Sequence, residues 1–232
     1  MFDLYIANKN YSSWSLRPWV LLKALEIPFN EHLMPFEGGF GDSYTTFKRF
    51  SPSGLVPCLV DNDHNVAVWD SLAIVEYVAE THPNVWPQER EARAWARSAS
   101  AEMHSSFGAL RDECSMNCGV RVAMNELSPG LKSNMARLDA LWQEGLLRFG
   151  GPFLAGDRFT AVDAFYAPVA FRIQTFNLTL SEVSLAYVQR LLDLPAMQDW
   201  YAAALKEPWR EPMHEAETVK HATLLSDERA IG

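Results

Sequence analysis

Residues 53–60 read SGLVPCLV, and the place of Pro57 in that run decides how the chain folds. Val56 and Val60 are β-branched, so the run has the composition of a strand. Proline lacks an N–H and is kept out of inner strands. Two readings follow. A cis Val56–Pro57 bond would turn the chain sharply and leave the Val56 N–H and C=O free to pair with an extended ligand backbone. A trans proline on an edge strand is the alternative, and spacing alone leaves both open.

Working outward, 57–60 (PCLV) and 66–69 (VAVW) read as strands joined by the polar turn DNDHN. Residues 71–82 (SLAIVEYVAETH) read as a helix with Ser71 as candidate N-cap, stopping before Pro83. Upstream, 2–7 (FDLYIA) is a strand, and 15–27 is a helix with Leu16, Trp19, Val20 and Ile27 at helical spacing. Residues 30–36 make a second strand and 42–50 a short helix. The order β-α-β-α-β-β-α describes a parallel βαβ unit followed by an antiparallel hairpin, a small mixed sheet covered by helices.

Pro83 and Pro87 make 82–88 a linker, dividing the chain into an α/β domain, 1–82, and a helical domain, 89–232. Beyond the linker strand signals largely disappear, and 89–118, 129–149, 163–177, 183–193 and 196–206 carry helical periodicity. The tail from Lys206, with Pro208, Pro212 and many charges, reads as an irregular wrap. Thr160 and Asp163 stand at capping-box spacing before an apolar run, which is a folding element.

The 232 residues carry a net charge of -9 without a Lys/Arg run, which argues against nucleic acid or an anionic membrane as partner. No apolar stretch is long enough to span a bilayer, and the start MFDLYIANKN lacks a basic leader. Three cysteines, an odd count, fit a reducing cytoplasm. Cys114 and Cys118 with His104 upstream could suggest a metal site, but no fourth ligand has sensible spacing, so no metal is expected.

Three stretches can carry chemistry. In WDSLAIV, Ser71 opens a helix whose first N–H groups suit a carboxylate, and Asp70 beside it suits an ammonium group. Together they fit an α-amino acid head group. In YSSWSLRPW, Pro18 is tolerated only within the first helical turn, which makes Ser15 the N-cap. Ser12 and Ser13 then lie in the loop ahead, where a hydroxyl can hydrogen-bond a thiolate and lower its pKa. On the first long helix after the linker, Met103, Phe107 and Arg111 share a face, an apolar wall with a cation for a second substrate, or ordinary core packing for the two apolar members.

Taken together, these stretches resemble the soluble glutathione transferase superfamily, nearest to its zeta-like, serine-type bacterial members. SPSGLVPCLV is similar to the family segment N-P-x-G-x-V-P-x-L, WDSLAIVEYV to E-S-x-A-I-x-x-Y-L, and FTAVDAFYAPV to its helical capping motif. The resemblance covers essentially the whole chain and implies a thioredoxin-like domain followed by an all-helical one. It implies a cis Pro57, with Val56 binding the cysteinyl backbone of glutathione, and Asp70 and Ser71 holding the γ-glutamyl group. SSWSLR is similar to the zeta-class S-S-C-S-W-R, which makes Ser12 the catalytic residue that activates the glutathione thiol. The cysteine of that stretch is Trp14 here, and glutamate is shortened to Asp70. The implied function is a cytoplasmic, homodimeric transferase joining glutathione to small electrophiles in detoxification. A glutathione-dependent cis–trans isomerase of the maleylacetoacetate type and a non-catalytic binding module are the alternatives.

Overall fold

A computed structural model describes residues 1–37 and 43–229. The first strand, β1 (Phe2–Ile6), runs into α1 (Ser13–Ala24), then β2 (Phe29–Leu33), the short α2 (Tyr44–Phe47), β3 (Cys58–Asp61), β4 (Val66–Trp69) and α3 (Ser71–Ala79). The sheet order is β2-β1-β3-β4. β1 is parallel to β2, from Phe2↔Phe29 to Ile6↔Leu33, and antiparallel to β3, with Tyr5 opposite Cys58. β3 is antiparallel to β4, with Cys58 opposite Trp69. The Val56–Pro57 bond is cis. β3 is an inner strand that starts one residue after Pro57, so the proline sits where no ladder donor is needed.

Two helix starts differ from the sequence reading. α1 begins at Ser13 with Ser12 as N-cap residue, and Pro18 lies inside it. The reason is local. A proline in the second turn forfeits only the bond to the carbonyl four residues back, here Trp14, while Leu16 N–H still bonds the Ser12 carbonyl at 3.2 Å. Ser15 is therefore no cap: its hydroxyl accepts the Ala7 N–H at 3.2 Å and ties the helix to the end of β1. In α3 the cap is Asp70, whose Oδ1 accepts Leu72 N–H at 2.8 Å, and Ser71 is the first helical residue. Of the short helix expected over 42–50, Asp42 lies outside the described residues.

The linker contains a 3-10 turn, Pro83–Val85. The helical half holds α4 (Arg90–Ser105), α5 (Gly108–Glu113), α6 (Pro129–Arg148), α7 (Ala161–Phe176), α8 (Glu182–Leu192), α9 (Pro195–Lys206) and α10 (Pro212–Val219), with β5 (Val120–Met124) and β6 (Ala222–Asp227). The single helical run expected over 89–118 is broken because Ser106 is extended and Phe107 takes a left-handed conformation, φ 61°. The tail is not irregular: it forms α10 and then β6, which pairs antiparallel with β5. α7 runs through the centre of the molecule, buried along nearly its whole length, and packs against α1 of the sheet domain. It starts with the capping box read from the sequence, Thr160 N–H donating to Asp163 Oδ2 at 2.9 Å. The Trp19 ring of α1 meets Trp200 of α9 edge-on at 5.1 Å, and these aromatics close the seam between sheet and helices.

Candidate functional site

Strand register assembles the site. Tyr5, near the end of β1, faces Cys58 at the start of β3, and Cys58 faces Trp69 at the end of β4. The loop leading to Ser12, the Val56–Pro57 turn and the Asp70–Ser71 helix start therefore all leave the sheet from one end. Val56 is half-buried, and among the described residues no partner takes its N–H or C=O. Asp70 holds φ 75°, an uncommon conformation for a residue with a side chain. That backbone aims one carboxylate oxygen at Leu72 N–H and leaves the other 3.5 Å from His104 Nε2.

Ser12 is buried at the N-terminus of α1, yet its hydroxyl caps nothing. It donates to the Ser15 hydroxyl at 2.7 Å. That neutral bond is easily exchanged for a stronger one to an anion, where the helix dipole also favours negative charge. Ser71 is fully buried, and Arg17 Nη1 donates to its hydroxyl at 3.3 Å.

Arg17 and Arg172 join this site without having been singled out in the sequence, Arg111 was expected here, and Trp14 and His104 were read there in other roles. The Arg17 guanidinium is only 1% exposed and lies 4.1 Å from the Trp14 ring and 4.9 Å from that of Phe165. Burial, with Arg111 and Arg172 nearby, holds its pKa well below the usual arginine value, and among the described residues its Nε has no partner. Arg111 also sits over the Trp14 ring, at 5.0 Å, and donates to the carbonyls of Ser106, Met103 and His104. Arg172, from α7, donates to the Cys114 carbonyl at 2.8 Å and to Ser13 Oγ at 3.3 Å, and burial pushes its pKa down to about 10. His104 meets Trp14 edge-on at 5.2 Å, and burial lowers its pKa although Asp70 opposes the shift. Trp14 and Arg17 are three apart on α1, so a helix start at Ser13 would have revealed their shared face. His104 and Arg172 come from distant helices and leave no local signal.

The structure places Met103 and Phe107 in the buried core behind Arg111. Cys58, Cys114 and Cys118 are free and buried, and burial raises the first two thiols to about 11 and about 12. Among the described residues no group of His, Cys, Asp and Glu is arranged to hold a metal ion, and no helix is long and apolar enough to cross a membrane.

A thioredoxin-like sheet domain joined to a helical bundle defines the class: the glutathione transferase fold. Family models then give the family: the glutathione S-transferase N-terminal domain matches residues 11–81 and the glutathione S-transferase C-terminal domain residues 93–203. The chain belongs to the glutathione S-transferase family. It is 28% identical over 204 residues to a probable maleylacetoacetate isomerase of Caenorhabditis elegans, covering 83% of this chain and 89% of that one. It is 26% identical over 213 residues to glutathione S-transferase GstB of Escherichia coli K12, covering 87% and 92%. A glutathione transferase homolog from Burkholderia gl BGR1, solved with bound glutathione, superposes with TM-score 0.66 at 21% identity, over 88% of this chain and 97% of that one.

Proposed function

We propose that glutathione lies along the shared end of the sheet and that Ser12 activates its thiol for attack on small electrophiles. The observation that supports this reading is the register Tyr5–Cys58–Trp69, which brings the Ser12 loop, the Val56–Pro57 turn and the Asp70–Ser71 helix start to one end of the sheet. The cysteinyl backbone pairs with Val56 before Pro57, as in strand addition. Asp70 takes the ammonium, and the Ser71 hydroxyl with the α3 N–H groups takes the γ-glutamyl carboxylate, Arg17 behind it adding positive charge. As the thiol gives its proton to water, the Ser12 hydroxyl turns from Ser15 to the sulfur and donates to it. The thiolate forms the C–S bond, and the leaving group departs with its electron pair. Serine remains a hydrogen-bond donor throughout, and no serine ester forms.

The electrophile lies between residues 1–82 and 89–232, against Trp14 and Arg111, with Met103 and Phe107 backing that wall. Arg17 and Arg111 lie over Trp14, and Arg172 bonds Ser13 on the same helix; this positive charge favours an electrophile carrying an anionic group. The same charges support a second reading, glutathione-dependent isomerisation of an unsaturated carboxylate, in line with relatives named maleylacetoacetate isomerase. Trp14 in place of the zeta-class cysteine weighs against it. The assembly is a homodimer in a reducing compartment such as the cytoplasm, through Trp69, 45% exposed on β4, and the 89–103 helix. Turnover with an electrophile panel and with maleylacetone tests the function. Conjugation without isomerisation supports the transferase, the reverse supports the isomerase, and glutathione binding with neither supports the non-catalytic module.

A further inference from the structure

The loop that carries Ser12 is gripped by the C-terminal end of the chain. At the close of α9, Glu207 accepts the N–H groups of Lys9 at 2.6 Å and Asn10 at 3.4 Å, and Asn10 Nδ2 donates to the Ala204 carbonyl at 2.6 Å. Trp200 Nε1 donates to the Lys9 carbonyl at 2.8 Å, and Cys118 N–H to that of Asn10 at 3.2 Å. Tyr11, directly before Ser12, is held hardest. Its hydroxyl donates to Glu215 of α10, and its ring stacks on His214 at 5.1 Å. Burial and the Glu215 carboxylate push the phenol pKa up, so this hydroxyl stays protonated and remains a donor.

Glu215 is itself fixed by Arg229, just past β6. Arg229 Nη2 reaches Glu215 Oε2 at 3.0 Å and Asp227 Oδ2 at 2.6 Å, and Nη1 donates to the Tyr11 hydroxyl at 3.3 Å. Arg229 is 7% exposed. It gets there because β6 is paired with β5 and Glu228 N–H bonds the Gly119 carbonyl at 2.7 Å. A Cβ on Gly119 would stand 2.2 Å from Arg229 Cγ, so the position admits the arginine only while it has no side chain.

We propose that Arg229 and Glu215 are positioning residues for the Ser12 hydroxyl, acting through Tyr11. The segment of β6 and Arg229 returns across the molecule and pins the residue before the activating serine. A loop between a strand and a helix has few contacts of its own to hold a hydroxyl to the tolerance that hydrogen bonding to a sulfur anion needs. The tail supplies them with an ion pair, buried at Arg229 and half-buried at Glu215, whose members both bond the tyrosine. This inference rests on the assignment of Ser12 as thiol activator.

The test uses the full-length protein in six forms: wild type, Ser12→Ala, Tyr11→Phe, Arg229→Ala, Gly119→Ala and the double variant Ser12→Ala/Arg229→Ala. Tyr11→Phe keeps the ring stack and removes one oxygen, so it reports even if Arg229→Ala folds poorly. The readouts are the pH titration of thiolate absorbance in the glutathione complex, the glutathione Kd, and amide exchange at Tyr11 and Ser12. Tyr11→Phe, Gly119→Ala and Arg229→Ala should raise the thiol pKa by about half a unit to one unit. Glutathione Kd should stay within about twofold, because the grip on the tripeptide is elsewhere. Amide exchange at Tyr11 and Ser12 should rise about tenfold or more in Arg229→Ala. In the Ser12→Ala background, Arg229→Ala should shift the titration no further. A shift for Ser12→Ala with flat titrations for Tyr11→Phe and Arg229→Ala overturns the positioning role alone. An equal further shift in the double variant also overturns it, because the arginine would then act without the serine. A flat titration for Ser12→Ala overturns the Ser12 assignment and the positioning role with it.

Discussion

Replacing Asp163 with Ala tests the packing of the helix that joins the two halves of the molecule. Asp163 is fully buried at the start of α7 and accepts four hydrogen bonds: Leu154 N–H at 3.0 Å, Thr160 N–H at 2.9 Å, Tyr187 O–H at 2.8 Å and the Thr160 hydroxyl at 3.4 Å. Stranding these donors costs roughly 1–3 kcal/mol each. Against that loss, burial outweighs the hydrogen bonds and pushes the carboxyl from 3.8 up to about 6, which means the ionised form is carried at neutral pH at a cost of roughly 3 kcal/mol. The variant is relieved of that cost, so four stranded donors less that relief leave a net destabilisation at pH 7.5 of roughly 1–9 kcal/mol. The sign of the pH dependence follows. Because the folded pKa lies above the unfolded one, the native state holds the proton more tightly between pH 4 and 6, and Asp163 contributes more stability as pH falls through that window. Between pH 7.5 and pH 5 the gap between wild type and Asp163→Ala should widen by about 1.4 kcal/mol. Urea unfolding of both proteins at the two pH values measures it, and other titrating groups cancel in the difference. A gap that narrows toward pH 5 would refute the reasoning, since the hydrogen bonds would then hold the carboxyl below its unfolded value.

Ser15→Ala should lower stability by about 1–2 kcal/mol, because Ala7 N–H loses its buried acceptor, measurable by denaturant melts. Arg17→Met should weaken glutathione about tenfold by removing the charge behind Ser71, read by calorimetry; unchanged affinity would detach Arg17 from the carboxylate site. The three buried cysteines should resist thiol reagents in the folded protein at pH 7, with labelling only after denaturant is added. Trp69→Glu should leave a monomer in light scattering at micromolar concentration, whereas a monomeric wild type would remove the proposed interface.

The sheet half was legible because its signals are local. Alternation, the DNDHN turn and a proline at a strand mouth each act over a few residues, and together they gave β1 to α3 in order. The reading of Ser15 as a cap came from treating Pro18 as a first-turn residue. In the molecule the helix accepts one missing bond inside its second turn, because α1 is buried on sheet, α7 and α9 and needs no help from that bond. Asp70 took the cap expected of Ser71, since its shorter carboxylate reaches Leu72 N–H once the backbone adopts a positive φ, which no sequence pattern announces. The β5–β6 ribbon was invisible for a different reason. Its partners are about a hundred residues apart, and ATLLSD in a charged tail has too little alternation to be read without the strand it pairs with. Arg111 was legible as a candidate cation, but its grouping with Arg17 and Arg172 was hidden, as the three belong to three elements that only the tertiary fold brings together.

The central claim is that the Ser12 hydroxyl, and not the buried Ser15 beside it, stabilises the glutathione thiolate. The most direct measurement is thiolate absorbance of the glutathione complex as a function of pH in wild type, Ser12→Ala and Ser15→Ala. Bound glutathione in wild type should titrate well below the ordinary thiol value of about 8.5. Ser12→Ala should move that titration up by about one unit or more with glutathione affinity nearly intact, while Ser15→Ala moves it far less. A titration that stays in place for Ser12→Ala and moves for Ser15→Ala would contradict the account.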